Sequence, residues 1–504
     1  MINFLKKYHK WVAVVITLFI LLFSVSGIIL NHRDLLSSVD VSRKMMPSEY
    51  EVVNWNNAAV KGTCKLSSDS ILIYGNIGIW LTDSAFSSFV DFNQGIPQGI
   101  DNRKVCKVEK RLNGELWAGT LFGLYRYDFV KKAWEKIEIP TQEQRVVDFI
   151  DFGDSLYLLT RSHWLVYKDG KFEAHTMPPP EGYDGKIGLF KTLWVIHSGE
   201  IYGHTGKLLV DVVGLIFIFL TVTGLIIFIN KYRIQKRFKK KDPIQKLKKI
   251  NLWNLRWHNK VGWITLLFLM ITVSTGIFLR PPLLVAIAEA RVAKMPGTEL
   301  ASPNPWFDLL RRFIYDKEKD RFIVGTYEGV YYSDDHFKTP LKKFKVQPPL
   351  SVMGVNVLKK VDDDTYLIGS FEGLFRWNPQ KGEVWDYIKK EPYVKKEVSG
   401  PPIGDYLVTG YTDDFKGGEV VFDYDKGALS LDKDVSFVPM PDQIKKAYRI
   451  SLWSVALEVH TGRIYQPILG LFYVLVVPLV GFGLIFVLIS GFIVWWKLHK
   501  GIKY

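Results

Sequence analysis

Long hydrophobic stretches alternate with polar segments along this chain. Four stretches are nearly free of charged residues, and they run from Val12 to Leu30, Leu208 to Ile229, Val261 to Leu279 and Ile468 to Trp496. A helix of roughly 20 residues, rising about 1.5 Å per residue, spans the hydrocarbon core of a bilayer. Buried helices of soluble proteins are seldom apolar over that length, so the pattern predicts four membrane-spanning helices.

The first stretch has the position of a signal peptide, but its composition favours a retained anchor. A signal peptide has an apolar core of about 7–15 residues and a small-residue cleavage site after it. Here the apolar run is longer, and Asn31-His32-Arg33-Asp34 follows it.

The two long segments between these stretches, about 33–200 and 281–460, show a different pattern. They are rich in Val, Ile and aromatic residues interrupted by turn signals, which predicts many short β-strands. One phrase of strand, glycine-containing turn and strand recurs, clearly at Leu116–Asp128, Phe322–Tyr331 and Leu367–Trp377, and more weakly at Ile71–Trp80, Leu156–Tyr167 and Tyr406–Val421. Its spacing of roughly 40 residues is typical of propeller blades, and the phrase resembles the blades of the regulator-propeller repeat family.

Each long segment carries three copies of this phrase. Three blades cannot close a ring, whereas six can, so we expect the two segments to form one composite six-bladed β-propeller. Two separate sandwich-like domains are the alternative.

Charge predicts the orientation of the helices. The chain is 48% hydrophobic and carries a net charge of +15. The N-terminus carries Lys6, Lys7 and Lys10, the tail carries three lysines, and residues 231–260 carry twelve Lys and Arg residues against the single acid Asp242. Because positive residues stay on the cytoplasmic side of a membrane, both termini and the middle segment are predicted to be cytoplasmic and the two long segments periplasmic. Topology thus explains the basic composition without any nucleic-acid partner.

The predicted fold class is a membrane α-helical four-helix bundle, internally duplicated, with an all-β extracytoplasmic domain. The predicted boundaries are helix 1 at 1–32, a first β insert (half propeller) at 33–195, helix 2 at 196–230, a basic cytoplasmic loop at 231–257, helix 3 at 258–280, a second β insert (half propeller) at 281–458, helix 4 at 459–497 and a tail at 498–504.

The duplication is visible in the sequence itself. Tyr8-His9-Lys10-Trp11 opens the first unit as Trp257-His258-Asn259-Lys260 opens the second, and each His precedes a glycine, Gly27 or Gly276, by 18 residues. The sequence His197-Ser-Gly-Glu-Ile-Tyr202 matches His460-Thr-Gly-Arg-Ile-Tyr465, and each leads into a helix with two glycines ten residues apart, Gly214 with Gly224 and Gly481 with Gly491. These small residues either leave room for a flat cofactor or serve plain helix packing.

Six of the ten histidines lie at predicted membrane ends. The cytoplasmic ones are His9 and His258, and the outer ones are His32, His197, His204 and His460. Ionisable groups at membrane depth are costly and usually functional, and symmetry pairs His9 with His258 and His197 with His460. Paired imidazoles suit haem iron, which takes axial nitrogens from both sides, better than zinc, which wants four ligands. A helix from His9 to His32 is about 35 Å long, so two sites are expected.

The motifs Tyr-His-Lys-Trp, Gly-Ile-Ile-Leu-Asn-His-Arg and His-Ser-Gly or His-Thr-Gly resemble the PepSY-associated transmembrane family. That family includes inner-membrane ferric-siderophore reductases with b-type haems, and the resemblance covers the four helices and their flanks. It implies His9, His197, His258 and His460 as ligands of haem iron, in two haem b groups by the pairing above, with His32 or His204 as alternatives on the outer side. The second unit departs from it with Arg280-Pro281 where the first has Asn31-His32, and Ala13 stands where the motif usually has Gly.

The leading hypothesis is therefore an inner-membrane oxidoreductase that passes electrons to a periplasmic acceptor, by family a ferric (siderophore) chelate. Residues 231–260 lack a glycine-rich dinucleotide fingerprint, so a quinol or a cytoplasmic reductase is the expected donor. The rival is a haem-free, membrane-anchored propeller that binds a ligand or serves signalling or transport. The sequence leaves open whether Cys64 and Cys106 form a disulfide, and it gives His163, His175 and His336 no special role.

Overall fold

A computed structural model describes residues 2–394, 404–432 and 434–500 of the chain. The chain forms two compact units, each assembled from both halves of the sequence. The membrane unit comprises Met1–Leu36, Gly185–Ser302 and Leu452–Tyr504, and the β unit comprises Ser37–Asp184 and Pro303–Ser451.

The helices are numbered along the chain, and all but α7 belong to the membrane unit. The α-helices are α1 (Ile2–Asn31), α2 (Leu189–Ser198), α3 (Gly203–Lys239), α4 (Gln245–Ile264), α5 (Leu266–Phe278), α6 (Leu283–Ile287), α7 (Asp442–Ala447), α8 (Leu452–His460), α9 (Gln466–Leu469) and α10 (Val476–Lys500). Single turns of 3-10 helix occur at Arg43–Met45, Ser48–Tyr50, Glu200–Tyr202, Glu299–Ala301 and Arg463–Tyr465, with a longer one at Gly470–Leu475.

In the part of the chain that the structure describes, three helical stretches are long and apolar enough to cross a membrane, namely Ile2–Asn31, Glu200–Lys239 and Arg463–Leu498. A fourth candidate is the pair α4 and α5, which passes the same test of length and composition only when the two helices are taken together, and which bends by 67° between them.

The bend lies at Thr265, between α4 and α5. The hydroxyl of Thr265 donates to the carbonyl of Val261 at 2.8 Å, although the same bond from Thr17 to Ala13 at 2.8 Å lies within the unbroken helix α1 and does not by itself account for a bend. The third predicted helix, 258–280, is therefore two helices with a bend. Much of the predicted loop 231–257 is also helical, since α3 continues to Lys239 and α4 begins at Gln245.

The β unit contains six small antiparallel sheets, numbered here in chain order. From the first half of the sequence come sheet 1 (Gly62–Ser67, Ser70–Gly75, Gly78–Thr82, Phe89–Asp91), sheet 2 (Val105–Lys110, Leu116–Thr120, Gly123–Asp128, Ala133–Ile137) and sheet 3 (Asp148–Phe152, Ser155–Leu159, Trp164–Lys168, Lys171–His175). From the second half come sheet 4 (Leu310–Asp316, Arg321–Thr326, Val330–Ser333, Lys342–Lys343), sheet 5 (Val357–Asp362, Thr365–Ser370, Gly373–Asn378, Glu383–Asp386, Glu391–Pro392) and sheet 6 (Val408–Thr412, Val420–Asp423, Gly427–Ser430). Two-stranded pairs join Asp40–Val41 to Ile450–Ser451 and, in the membrane unit, Lys186–Gly188 to Arg291–Ala293.

Five of the six copies of the recurring phrase cover the second and third strands of a sheet and the turn between them, whereas the weak copy at Tyr406–Val421 covers the first two strands of sheet 6. In sheets 2, 4 and 5 a hydroxyl at the end of the second strand accepts from the backbone N–H two residues on, which closes the turn locally. The three bonds are Phe122 N to Thr120 Oγ1 (3.2 Å), Glu328 N to Thr326 Oγ1 (3.0 Å) and Glu372 N to Ser370 Oγ (3.1 Å).

Each sheet packs against the next through its first strand, in the order 1 to 6, and sheet 6 packs against sheet 1 through Val408–Thr412 and Gly62–Ser67. Every neighbouring pair shares a buried apolar cluster. Trp117 and Phe149 pack between sheets 2 and 3, and Ile73 and Val420 pack between sheets 1 and 6.

Sheets 3 and 4 join the two halves of the sequence, and Arg312 stands where their first strands meet. Its guanidinium donates to the carbonyls of Cys106 at 3.2 Å, Val147 at 3.1 Å and Asn356 at 3.0 Å. One partly buried side chain on the first strand of sheet 4 therefore contacts the first strand of sheet 2 and the residues just before sheets 3 and 5.

Cys64 and Cys106, on the first strands of sheets 1 and 2, are buried free thiols that are not bonded to each other. Burial raises the pKa of Cys64 to about 12.

Candidate functional site

Four histidines of the membrane unit contact a neighbouring helix in the same way. Each Nδ1 lies near a backbone carbonyl and near the hydroxyl of the Ser or Thr three residues later. The partners are Val487 O (3.0 Å) and Ser490 Oγ (3.2 Å) for His9, Phe23 O (3.0 Å) and Ser26 Oγ (3.0 Å) for His460, Thr272 O (2.9 Å) and Thr275 Oγ1 (3.4 Å) for His197, and Leu220 O and Thr223 Oγ1 (3.0 Å) for His258.

This arrangement determines the tautomer of each imidazole. A carbonyl can only accept, so Nδ1 carries the hydrogen and donates it. The hydroxyls of Ser26, Thr223 and Thr275 donate to their own helix one turn back, at 2.6 to 2.8 Å, which turns their lone pairs toward Nδ1. The lone pair of each ring is then on Nε2, and no bond to any of these four Nε2 atoms occurs in the described residues. An imidazole held in this way is prepared to bind a metal through Nε2.

A glycine follows each of these Ser or Thr residues, and the imidazole packs against it. A Cβ would meet the ring Cε1 at 2.8 Å at Gly276, 3.0 Å at Gly491, 3.2 Å at Gly27 and 3.3 Å at Gly224. Any larger residue would force the ring to shift. The glycines noted in the sequence thus accommodate the imidazoles themselves.

The contacts tie helices together reciprocally. Helix α1 contacts the His460 ring and carries His9, whose own ring contacts α10. Helix α3 contacts His258, and α5 contacts His197, which lies on α2. All four contacts join the first half of the sequence to the second, so each half orients the histidines of the other.

The symmetry-related rings approach each other. The ring centroids of His197 and His460 are 5.9 Å apart with an angle of 53° between the planes. His9 and His258 are near enough to interact electrostatically when charged. In the described part of the chain, no group of three or more His, Cys, Asp or Glu side chains is placed to hold a metal ion, so each pair offers two protein ligands.

The remaining two outer histidines are placed differently. Nε2 of His32 contacts Asp211 Oδ2 at 2.7 Å, and the other carboxylate oxygen accepts from Asn31 Nδ2 at 2.9 Å. His204 is exposed on α3. Neither shares the contact to a carbonyl and hydroxyl described above.

Sequence reasoning missed the residues that hold the rings. The signal was the dipeptide Ser-Gly or Thr-Gly, which occurs at Ser26-Gly27, Thr223-Gly224, Thr275-Gly276 and Ser490-Gly491. Asp211 was missed as well, although it is a lone acid at the start of an apolar run.

Solved structures resemble the chain in coarse outline. The extracellular domain of a hybrid two component system protein from B. thetaiotaomicron is 10% identical over 73% of this chain and 32% of its own, with a TM-score of 0.35. PorZ of the type-IX secretion system of Porphyromonas gingivalis is 10% identical over 71% of this chain and 36% of its own, with a TM-score of 0.30. The designed protein Ika8 is 9% identical over 75% of this chain and 98% of its own, with a TM-score of 0.31. The chain covers about a third of the length of the first two proteins, and structural similarities this weak carry no information on function.

No curated protein matches the sequence. The PepSY-associated TM region matches twice, over residues 3–231 and 134–497, and these ranges contain all four histidines and the helices that hold them. The chain belongs to the PepSY-associated TM family.

Proposed function

We propose that this protein carries electrons across the inner membrane by means of two haem b groups, one held by His9 and His258 and the other by His197 and His460. One observation carries the proposal: four imidazoles, in two pairs, are each anchored at Nδ1 and open at Nε2. The resemblance to membrane ferric-siderophore reductases supports the same assignment.

The residues present fit a haem. An imidazole nitrogen binds a metal at about 2 Å, so the two outer rings, whose centroids are 5.9 Å apart, would be close enough to bind the same iron. A metal with only two protein ligands must bring its other ligands with it, as haem iron does. Near the outer pair, Arg280 Nε and Tyr465 OH are buried without a hydrogen-bond partner in the described residues, and the acidic side groups of haem would satisfy such donors.

When bound, haem supplies a one-electron redox centre near each face of the membrane. The protein's own part is to hold the ligands. The carbonyl and hydroxyl at each Nδ1 fix the ring orientation and raise the basicity of Nε2. The apolar cluster of the membrane unit, with Phe217, Leu269 and Val480 among its members, excludes water between the two ends.

The topology and the β unit belong to the same proposal. We place both termini and the basic segment 231–260 in the cytoplasm, with α4 and α5 as the fourth, bent span. The six sheets form one composite six-bladed propeller in the periplasm, and the support for it is that every sheet packs on the next and sheet 6 packs on sheet 1.

The donor is a quinol or a separate cytoplasmic reductase, and the acceptor is a ferric chelate held by the β unit. The excess of positive charge in residues 231–260 suits docking of an acidic partner or of anionic lipid at that face.

Spectroscopy of the purified protein tests the assignment. We expect a reduced-minus-oxidised spectrum of b-type haem with two haems per chain. His9→Ala and His258→Ala should each remove one haem, and His197→Ala and His460→Ala should each remove the other. His204→Ala is the matched control, because His204 is exposed and lies at the same membrane end as His197 and His460. This variant should retain both haems.

A correctly folded, colourless protein would refute the proposal. It would favour the rival reading, a membrane-anchored β domain that binds a ligand or serves signalling or transport without haem. Loss of a haem in His204→Ala, with retention in His197→Ala, would reassign the outer ligands.

A further inference from the structure

Two loops of sheet 3 concentrate buried polar atoms that have no hydrogen-bond partner. Among the described residues, such atoms include Glu143 Oε2, Gln144 Oε1, Arg145 Nε and His163 Nδ1. Buried polar groups are almost always satisfied, because leaving one unpaired costs about 1–3 kcal/mol. Four of them in two adjacent loops indicate a place where another molecule supplies the missing partners.

These loops meet the start of sheet 4, from the other half of the sequence. Asp308 N donates to Ser162 Oγ at 3.0 Å, and Arg161 Nε pairs with Asp308 Oδ1 at 2.7 Å. Arg311 Nη1 donates to the carbonyl of Asp308 at 3.0 Å. The contacts bring residues 143–145, 161–163 and 308–311 into one cluster, which neither half of the chain forms alone.

Positive charge exceeds negative charge in this cluster. Arg145, Arg161 and Arg311 lie near the carboxylates of Glu143 and Asp308. Burial raises the pKa of Glu143. Burial and then the nearby Arg161 lower the pKa of Arg311 to about 10.

The same excess of positive charge affects the pKa of the neighbouring Cys106 thiol. Burial acts to raise the pKa of Cys106, but Lys61, Arg145 and Arg312 outweigh it and hold that pKa below its ordinary value. Cys106 belongs to sheet 2 and Lys61 precedes sheet 1, so the positive potential extends from the junction of sheets 3 and 4 toward sheets 1 and 2.

We propose that this cluster is a binding site for a small hydroxycarboxylate anion. The guanidinium groups of Arg145, Arg161 and Arg311 match carboxylates, which accept paired N–H bonds. The free oxygens of Glu143 and Gln144 require donors, and a ligand hydroxyl supplies them. Gln144 is held in place, since its Nε2 donates to the carbonyls of Thr141 at 2.5 Å and Ile139 at 3.2 Å, and its Oε1 is buried without a partner in the described residues.

A hydroxycarboxylate is also a chelator of ferric iron, so the site would receive the electron acceptor. That connection rests on the proposed function, whereas the anion site rests on the β unit alone. The test below needs neither haem nor an electron donor, so failure of one proposal is distinguishable from failure of the other.

Calorimetric titration of the purified full-length protein with citrate tests the site. We expect citrate to bind the wild type, and tricarballylate, which has a hydrogen in place of the citrate hydroxyl, to bind about tenfold more weakly. Arg145→Gln should weaken citrate binding about tenfold or more. Arg126→Gln, a change of the same kind at an exposed arginine of sheet 2, should leave it within twofold.

The wild-type measurement keeps the proposal falsifiable even if Arg145→Gln fails to fold. Absence of citrate binding to the folded wild type would show that the cluster only seals the junction between sheets 3 and 4. Equal affinity for citrate and tricarballylate, or equal losses in Arg145→Gln and Arg126→Gln, would overturn the hydroxycarboxylate assignment.

Discussion

At the scale of single residues, the histidine sites depend on the absence of a side chain at four positions. At Gly276 a Cβ would lie 2.8 Å from His197 Cε1 and 3.1 Å from Nδ1. Both distances are too short for carbon and nitrogen atoms that are not bonded. The ring and its bond to Thr272 O at 2.9 Å cannot both keep their places beside an alanine.

Gly276→Ala should therefore displace the His197 ring and remove the outer haem, while the inner haem stays. Gly262→Ala is the control, because its Cβ would make an ordinary contact of 3.8 Å with Leu220. The haem content per chain, measured on monodisperse protein, distinguishes the two. Retention of two haems by Gly276→Ala would show that the His197 ring has enough space beside the added methyl group.

The sequence indicated four candidate histidines, but not what orients them. The duplication singled out His9, His197, His258 and His460. The acceptors at Nδ1 are backbone carbonyls, such as Val487 O and Phe23 O, and a carbonyl has no signature in a sequence. Which Ser-Gly or Thr-Gly pair faces which histidine depends on the packing of helices far apart in the chain.

At the scale of elements, α1 and α3 are joined at one end by a polar contact inside an apolar bundle. Asp211 is buried, and its two oxygens contact His32 and Asn31. Removal of the carboxylate therefore takes a hydrogen-bond partner from each of the partly buried side chains His32 and Asn31.

Asp211→Ala should lower the free energy of unfolding in mixed detergent micelles by about 1–3 kcal/mol. Glu289→Ala, which removes an exposed acid of the membrane unit, is the control and should change it by less than about 0.5 kcal/mol. A double variant with His32→Ala should lose less than the sum of the single changes. Strict additivity would mean that the two side chains do not interact.

Helix boundaries were the least predictable elements. Residues 231–257 predict a loop by their charge, yet α3 and α4 run through most of that range, because a helix outside the bilayer tolerates a basic surface. At the break, the Thr265 hydroxyl turns back to Val261 O, but Thr17 makes the same bond inside the unbroken α1. Threonine occurs in many straight helices, so its presence alone does not predict a bend.

At the scale of the whole molecule, the β unit draws three sheets from each half of the sequence. Sheets 1 and 3 each lack a neighbour when the second half is absent, which exposes apolar residues such as Ile73 and Leu159 that are fully buried in the intact unit. The repeated turn phrases predicted the number of sheets, since the turn is a local feature. The contact between sheets 6 and 1 joins residues far apart in the sequence, so it could be inferred only from the number of repeated phrases.

Residues 37–184 expressed alone should consequently show no cooperative thermal unfolding, whereas co-expression with residues 303–451 should restore it. Circular dichroism of the two preparations measures the difference. A sharp transition in the isolated 37–184 fragment would instead favour two independent β domains.

The crossed contacts of the four histidines also set an order of events during biosynthesis. His9 has its carbonyl on α10, and His460 precedes α10 and packs on α1. His9, a ligand of the proposed inner pair, is thus unsupported until this late helix has been made and inserted, whereas His197 and His460 are held by the earlier helices α5 and α1. Loading of the proposed inner haem would therefore follow translation of nearly the whole chain, after the outer pair of histidines is already in place.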